Sequence, residues 1–277
     1  MFRLIASDLD GTMFKEQDSI PQDNLKAIDN LHKKQIPFVV CTGKTYSVSK
    51  DICQNLHANF GIFGNGNQII DLTTGEEIAK RTLTLDEIRT CFLMIENQNL
   101  HVHAYTENSI ITTKLLYLDL RTSILSKDKM DFVIVPSVLD YIEKQNPTIL
   151  KLVISSPSSL SKLKEELEEK ANFSIMYVKK TGIYRDTTID KEYEYLDISP
   201  SNVTKGKALE QLKNHLNLQT EEVLSIGDNL NDISMFEASG VGVAVHNAYD
   251  EVKEVANFTT SQSAENGAFA EAIYQFI

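Results

Sequence analysis

Over the first eighty positions, short uninterrupted apolar runs alternate with longer stretches of helical spacing. Phe2–Ser7 reads as a strand ending in the polar turn Asp8-Leu9-Asp10-Gly11-Thr12, and Pro21 opens a helix with Leu25, Ile28 and Leu31 on one face. Phe38–Cys41 is a second strand, stopped at Thr42-Gly43. A helix near Tyr46–Leu56, a strand Phe60–Phe63 and the turn Gly64-Asn65-Gly66 follow. Repeated strand–turn–helix units of this kind predict a parallel, Rossmann-like α/β sheet with helices on both faces.

The middle of the chain has a different rhythm. Helical patterns at Leu85–Glu96 and Ser159–Ala171 are separated by strand-like runs at Leu100–Tyr105, Lys151–Ser155 and Phe173–Val178. Leu160, Leu163 and Leu167 line one side of the second helix, which should therefore cover a sheet. Leu115–Met130 yields least to this reading. From about Ser199 the first rhythm returns: a strand Val223–Ile226 ending at Gly227-Asp228, a helix Asn231–Ala238, a strand Val241–Val245, and helices near Tyr249–Ala256 and Gly267–Phe276. The chain thus divides into a core made from both ends, residues 1–83 and 197–277, and an inserted α+β domain, 84–196.

Composition narrows the function classes. The 277 residues are 42% hydrophobic and 24% charged, enough apolar content for full cores, and no apolar run approaches the ~18 residues of a membrane span. Asp8 interrupts the N-terminus before a signal-peptide core can form, so secretion by that route is not expected. Three cysteines, Cys41, Cys53 and Cys91, with no CxxC pair, predict neither a disulfide scaffold nor a cysteine zinc site, and fit a reducing cytoplasm. The net charge of −12 argues against a broad nucleic-acid or anionic-membrane surface. The insert carries 14 basic and 17 acidic residues and the core 13 and 22, so most of the excess lies in the core. An anionic substrate would not be steered in by such a field; local cations or a metal must hold it.

Ligands of a parallel sheet bind beyond the carboxyl ends of its strands. Polar residues collect there: Asp8 and Asp10 after the first strand, Thr42-Gly43 after the second, and Gly227-Asp228-Asn229-Leu230-Asn231-Asp232 after Val223–Ile226, while Lys205-Gly206-Lys207 stands near the start of a helix where the chain re-enters the core. Each has a plain alternative. Asp-x-Asp-Gly is common in turns, Asp228 and Asp232 suit the start of a helix, a Thr-Gly often only ends a strand, and a lone Lys is usually solvated. An EF-hand loop from Asp8 would need Gly where Met13 stands. Together, however, four acids at two strand ends repel one another strongly enough to need a divalent cation, and oxygen-only ligands indicate Mg²⁺. Thr42, Gly43 and Lys205 add a hydroxyl, an approachable backbone N–H and a point charge suited to phosphate.

These motifs resemble those of the haloacid dehalogenase-like (HAD) hydrolases, in particular the Cof-type phosphatases with a large α/β cap inserted into the core. Asp8-Leu9-Asp10-Gly11-Thr12, Thr42-Gly43-Lys44, Gly64-Asn65-Gly66, Val203 to Leu209, Gly227 to Asp232 and Glu265-Asn266-Gly267 carry the resemblance on both sides of the insert. It implies that Asp8 is the nucleophile and Asp10 the general acid and base. It implies that Thr42, Gly43, Lys205 and Asn231 hold the phosphoryl group, that Asp8, the backbone carbonyl of Asp10 and Asp228 hold Mg²⁺, and that Asp232 positions Lys205. The branch usually has Arg where this chain has Lys44, a fork of donors replaced by a single cation.

The expectation is a Mg²⁺-dependent cytoplasmic phosphatase acting on small phosphate monoesters such as sugar phosphates, through an aspartyl-phosphate, with the insert choosing the substrate. A phosphomutase or phosphotransferase with the same intermediate and a non-catalytic sensor of phosphorylated ligands are the alternatives. The second is disfavoured because binding alone needs no nucleophile. His101 and His103, alternating on a strand without a third ligand nearby, read as partly exposed insert residues rather than a metal site. Cys41 reads as a small buried hydrophobe.

Overall fold

The computed structural model describes residues 1–15, 20–96, 98, 100–115, 131–171, 173–186 and 189–277. In chain order the first strands are β1 (Leu4–Ser7), β2 (Phe38–Cys41), β3 (Phe60–Phe63), β4 (Gln68–Asp71) and β5 (Glu77–Lys80). Then come β6 (His101–Tyr105), β7 (Ser109–Thr112), β8 (Asp131–Ile134), β9 (Lys151–Ser156), β10 (Ser174–Asp186) and β11 (Ile189–Ser199). The last three are β12 (Val223–Gly227), β13 (Val241–Ala244) and β14 (Phe258–Thr259). The described residues form two compact units, Met1–Lys80 with Thr204–Ile277, and Arg81–Val203.

The first unit is built on one sheet of order β14-β13-β12-β1-β2-β3-β4-β5. Every residue of β1 and β2 is fully buried, so both faces of the sheet centre are covered, as a parallel α/β core requires. The helices Gln22–Lys33 and Tyr46–Asn55 connect β1 to β2 and β2 to β3, with Ile28 and Leu31 of the first buried in the core. β12, β1, β2 and β3 run parallel, as the sequence predicts. Beyond β3 the sheet turns antiparallel through β4 and β5, two strands the apolar pattern does not announce. Their connection is a local turn, in which Asp71 Oδ1 accepts from the backbone N–H of Thr73 and Thr74. The predicted helix Asn231–Ala238 begins as a tight turn, Leu230–Asp232, and becomes α-helical at Ile233–Glu237.

The second unit has a six-stranded sheet of order β10-β11-β9-β6-β7-β8, antiparallel except between β7 and β8. Val102, Ala104, Leu152, Ile154, Leu196 and Ile198 form its apolar core with Ile88, Ile142, Leu163 and Leu167 of the helices Leu85–Met94, Val138–Gln145 and Ser161–Lys170. Strand alternation puts His101 and His103 on the opposite side from Val102 and Ala104. They are not partly exposed, as expected from sequence, but 5% and 4% exposed. Burial is tolerated because the rings serve each other. Their Nε2 atoms are 2.9 Å apart, the rings meet edge to face, and the Thr112 hydroxyl lies 3.3 Å from His101 Nε2. Beside them, Lys151 pairs with Asp197 at 2.5 Å and sits over the Tyr105 ring. Of the stretch Leu115–Met130, only Leu115 lies among the described residues.

Candidate active site

β1 lies parallel to β12, with Ser7 opposite Ile226, so the ends of the two strands deliver Asp8 and Asp228 side by side. The Asp8 N–H donates to the Ile226 carbonyl at 3.0 Å, which fixes where its side chain starts. The chain then curls back, with the Gly11 N–H donating to the Phe14 carbonyl. Gly11 has φ +84°, and a Cβ there would come within 2.4 Å of Asp228 Oδ2, so only glycine fits. Thr12 Oγ1 donates to Asp228 Oδ1 at 2.8 Å. Asn24 and Asn247 tie this loop from outside through the carbonyls of Met13 and Gly11.

Lys205 is the centre of the cluster. It lies in the first turn of the helix Lys205–His215, whose start is capped by Thr204. A cation there opposes the helix dipole, so its partners must hold it, and they do. Its Nζ donates to Asp8 Oδ1 and to Asp232 Oδ1, each at 2.6 Å, and the Lys205 side chain is fully buried. Asp232 Oδ2 accepts from the backbone N–H of Asp228 and Asn229, both at 2.9 Å. One acid therefore orients both the lysine and the loop that carries Asp228.

The electrostatics follow from burial. Burial pushes the Asp8 carboxyl well above the usual range; Lys205 opposes this, while Asp232, Asp228 and Asp10 add to it. Burial and Asp232 push Asp228 to about 7, against the Thr12 hydrogen bond and Lys205. Burial alone would lower the Lys205 ammonium, but Asp232 and Asp8 outweigh it and raise its pKa. Asp8, Asp228 and Asp232 each present an oxygen within 4.8 Å of the others. Three carboxylates against one ammonium leave an excess of negative charge, and the donor set is oxygen only. A hard divalent cation fits this arrangement. Among the described residues, no other such group of three acids, histidines or cysteines occurs, and His101 and His103 are not in one.

The remaining predicted residues surround this cluster. Thr42 is buried at the end of β2, and its Oγ1 accepts from the Lys44 N–H, which leaves the hydroxyl to act as a donor. Gly43 lies so close to Asn65 that a Cβ would be 3.0 Å from Asn65 Oδ1. Asn231 Nδ2 donates to Asn65 Oδ1 at 2.8 Å. The Asp10 side chain stands outside the cluster of three and is held by Lys44, Nζ to Oδ1 2.6 Å. Lys44 thus engages the proposed acid directly. Cys41 is fully buried, and burial raises its thiol pKa, in keeping with a packing role. Thr12 and Asn65 join the site without a role expected from sequence, although a hydroxyl two residues after Asp10 and an Asn between two glycines mark them.

Residues 5–273 match the sequence model of the haloacid dehalogenase-like hydrolase family. The chain belongs to the haloacid dehalogenase-like hydrolases. It is 29% identical to the 5-amino-6-(5-phospho-D-ribitylamino)uracil phosphatase YwtE of Bacillus subtilis, over 96% of this chain and 95% of that one. Among solved structures, TM0651 from Thermotoga maritima superposes with a TM-score of 0.79 at 25% identity, covering 100% and 98% of the two chains. The HAD subclass IIB sugar phosphatase BT4131 superposes at 0.75 and 20% identity over 99% and 98%, a likeness of fold. The chain is an enzyme of the HAD phosphatase type, with the Rossmann-like core and the additional domain of its structural neighbours.

Proposed function

We propose that this HAD phosphatase hydrolyses small phosphate monoesters, sugar phosphates or related metabolites, with Mg²⁺ and through an aspartyl-phosphate on Asp8. The observation that carries the reading is the buried Lys205 bridging Asp8 and Asp232 beside Asp228. A nucleophilic carboxylate must meet an anionic phosphate, and a packed set of opposed charges is what that encounter needs. Asp8, the Asp10 carbonyl and Asp228 would hold Mg²⁺, which would supply the charge neutralisation.

In the first step an Asp8 oxygen attacks phosphorus, the bond from phosphorus to the ester oxygen breaks, and the Asp10 carboxylic acid gives its proton to the leaving alcohol. In the second, a water molecule attacks the same phosphorus, Asp10 takes its proton, and the Asp8 carboxylate leaves with inorganic phosphate as product. Thr42, the Gly43 N–H, Lys205 and Asn231 bind the phosphoryl oxygens throughout. Substrate choice belongs to the insert, residues 84–196. The substrate class is supported by YwtE, whose name specifies a phosphorylated ribityl compound, and accords with the naming of BT4131 as a sugar phosphatase.

The test is phosphate release from a panel of phosphorylated metabolites with Mg²⁺, alongside Asp8→Asn. We expect turnover of sugar phosphates by the parent, none by the variant, and a phosphorylated protein trapped from the parent on acid quench. Full activity of Asp8→Asn would refute the assignment of the nucleophile.

A further inference from the structure

The turn Gly64-Asn65-Gly66 touches every loop that carries a proposed phosphate-holding group. The Asn65 N–H donates to the Thr42 carbonyl at 3.1 Å, and the Gly64 N–H donates to the Lys44 carbonyl at 2.8 Å. A Cβ on Gly66 would lie 2.5 Å from the carbonyl oxygen of Thr204, the residue before Lys205. The Asn65 side chain meets Gly43 on one side and Asn231 on the other. Asn65 is 7% exposed and sits in the left-handed region, φ 58°, ψ 22°, which Asn tolerates better than most residues.

We propose that Asn65 is a positioning residue that turns the Asn231 amide so that its N–H, not its carbonyl, faces the phosphoryl group. An amide side chain has a donor end and an acceptor end of nearly equal shape. Asn65 Oδ1 accepts one hydrogen of Asn231 Nδ2, which anchors the donor end and leaves its second hydrogen for an anion. Asn231 Oδ1 is buried without a hydrogen-bond partner. Without the Asn65 carbonyl nothing holds the donor end in place, the unpartnered oxygen no longer has to stay where it is, and the rotated form turns an acceptor toward the phosphate. The inference deepens the proposed function, since it rests on Asn231 as a phosphoryl ligand.

The experiment is a double-mutant cycle on the full chain with Mg²⁺ and 4-nitrophenyl phosphate, reading kcat/KM and inhibition by orthovanadate. Asn65→Gly keeps the left-handed backbone and deletes the side chain; Asn231→Ala deletes the ligand. Asn65→Gly should lower kcat/KM and weaken vanadate inhibition about tenfold, the value of one neutral hydrogen bond, with an unchanged melting temperature. The double variant should lose no more than Asn231→Ala alone, because Asn65 acts through Asn231. Should Asn65→Gly not fold, Asn65→Ser, whose hydroxyl ends one bond short of the amide oxygen, takes its place with the same expectation. Multiplying losses in the double variant, or a parent-like Asn65 variant beside an impaired Asn231→Ala, would overturn the proposal while leaving the proposed function standing. A parent-like Asn231→Ala would overturn it through its premise.

Discussion

Asp228 should make the metal-free protein weaker as pH rises. Its carboxyl lies at about 7 in the folded chain against an ordinary 3.8, because burial and Asp232 disfavour its charge. Between those values the folded state binds more protons than the unfolded one, so stability falls as pH rises through that window and the full cost is felt above it. A displacement of about three pH units corresponds to roughly 4 kcal/mol. Relaxation and water entry reduce such penalties, so about 2 kcal/mol is the expected size. Asp228→Asn removes the ionisation and keeps an oxygen for the Thr12 hydroxyl. It also removes one of the charges that raise Asp8. In excess chelator, urea unfolding from pH 5 to 8 should show the parent losing stability while Asp228→Asn loses distinctly less and becomes the more stable at pH 8. With Mg²⁺ the order should reverse, since the parent gains a bound cation that the variant holds poorly. Equal pH slopes for both proteins in chelator would refute the reasoning that the cluster is held together against its own charge.

Asp10→Asn should still form the aspartyl-phosphate from 4-nitrophenyl phosphate, whose leaving group needs no proton, but lack the base for the second step. Rapid mixing should show a burst of about one nitrophenol per site and then turnover slowed by ~10²–10⁴-fold, with no such burst on a sugar phosphate. Lys44→Met should leave the urea midpoint nearly unchanged, since a partly exposed pair contributes at most ~1 kcal/mol. It should lower kcat on sugar phosphates more than on the nitrophenyl ester, because Asp10 loses the contact that positions it for proton transfer to the leaving oxygen; Lys44→Arg, measured the same way, should restore most of the difference.

Much of the fold is legible because the core strands are buried on both faces. Leu4–Ser7, Phe38–Cys41 and Phe60–Phe63 are uninterrupted runs that admit no other reading at that length. β4 and β5 escape notice because Gln68–Asp71 follows at once on a turn and Glu77–Lys80 is a charged, half-exposed edge. The buried His101 and His103 are misread for a related reason: a polar residue on a strand suggests a wet face, and only the three-dimensional neighbours reveal that the rings pair with each other. In the site, strand ends announce Asp8 and Asp228 individually. The pairings are another matter. Lys44 with Asp10 and Asn231 with Asn65 join residues 34 and 166 positions apart, and no local pattern encodes such contacts.

The first unit also imposes an order on synthesis. β1 leaves the ribosome long before β12, yet β12 is one of its two neighbours in the sheet, with Val223 paired to Leu4. Until that partner emerges, an edge of a fully buried, apolar strand stands open, the kind of surface that recruits other chains. The second unit, Arg81–Val203, is continuous and has its own apolar core, so it can complete itself while the first waits. Lys205 and Asp232 arrive later still. The nascent chain therefore carries Asp8 through the whole of the second unit without the ammonium that later holds it, and the cluster forms only as the segment after that unit closes the sheet.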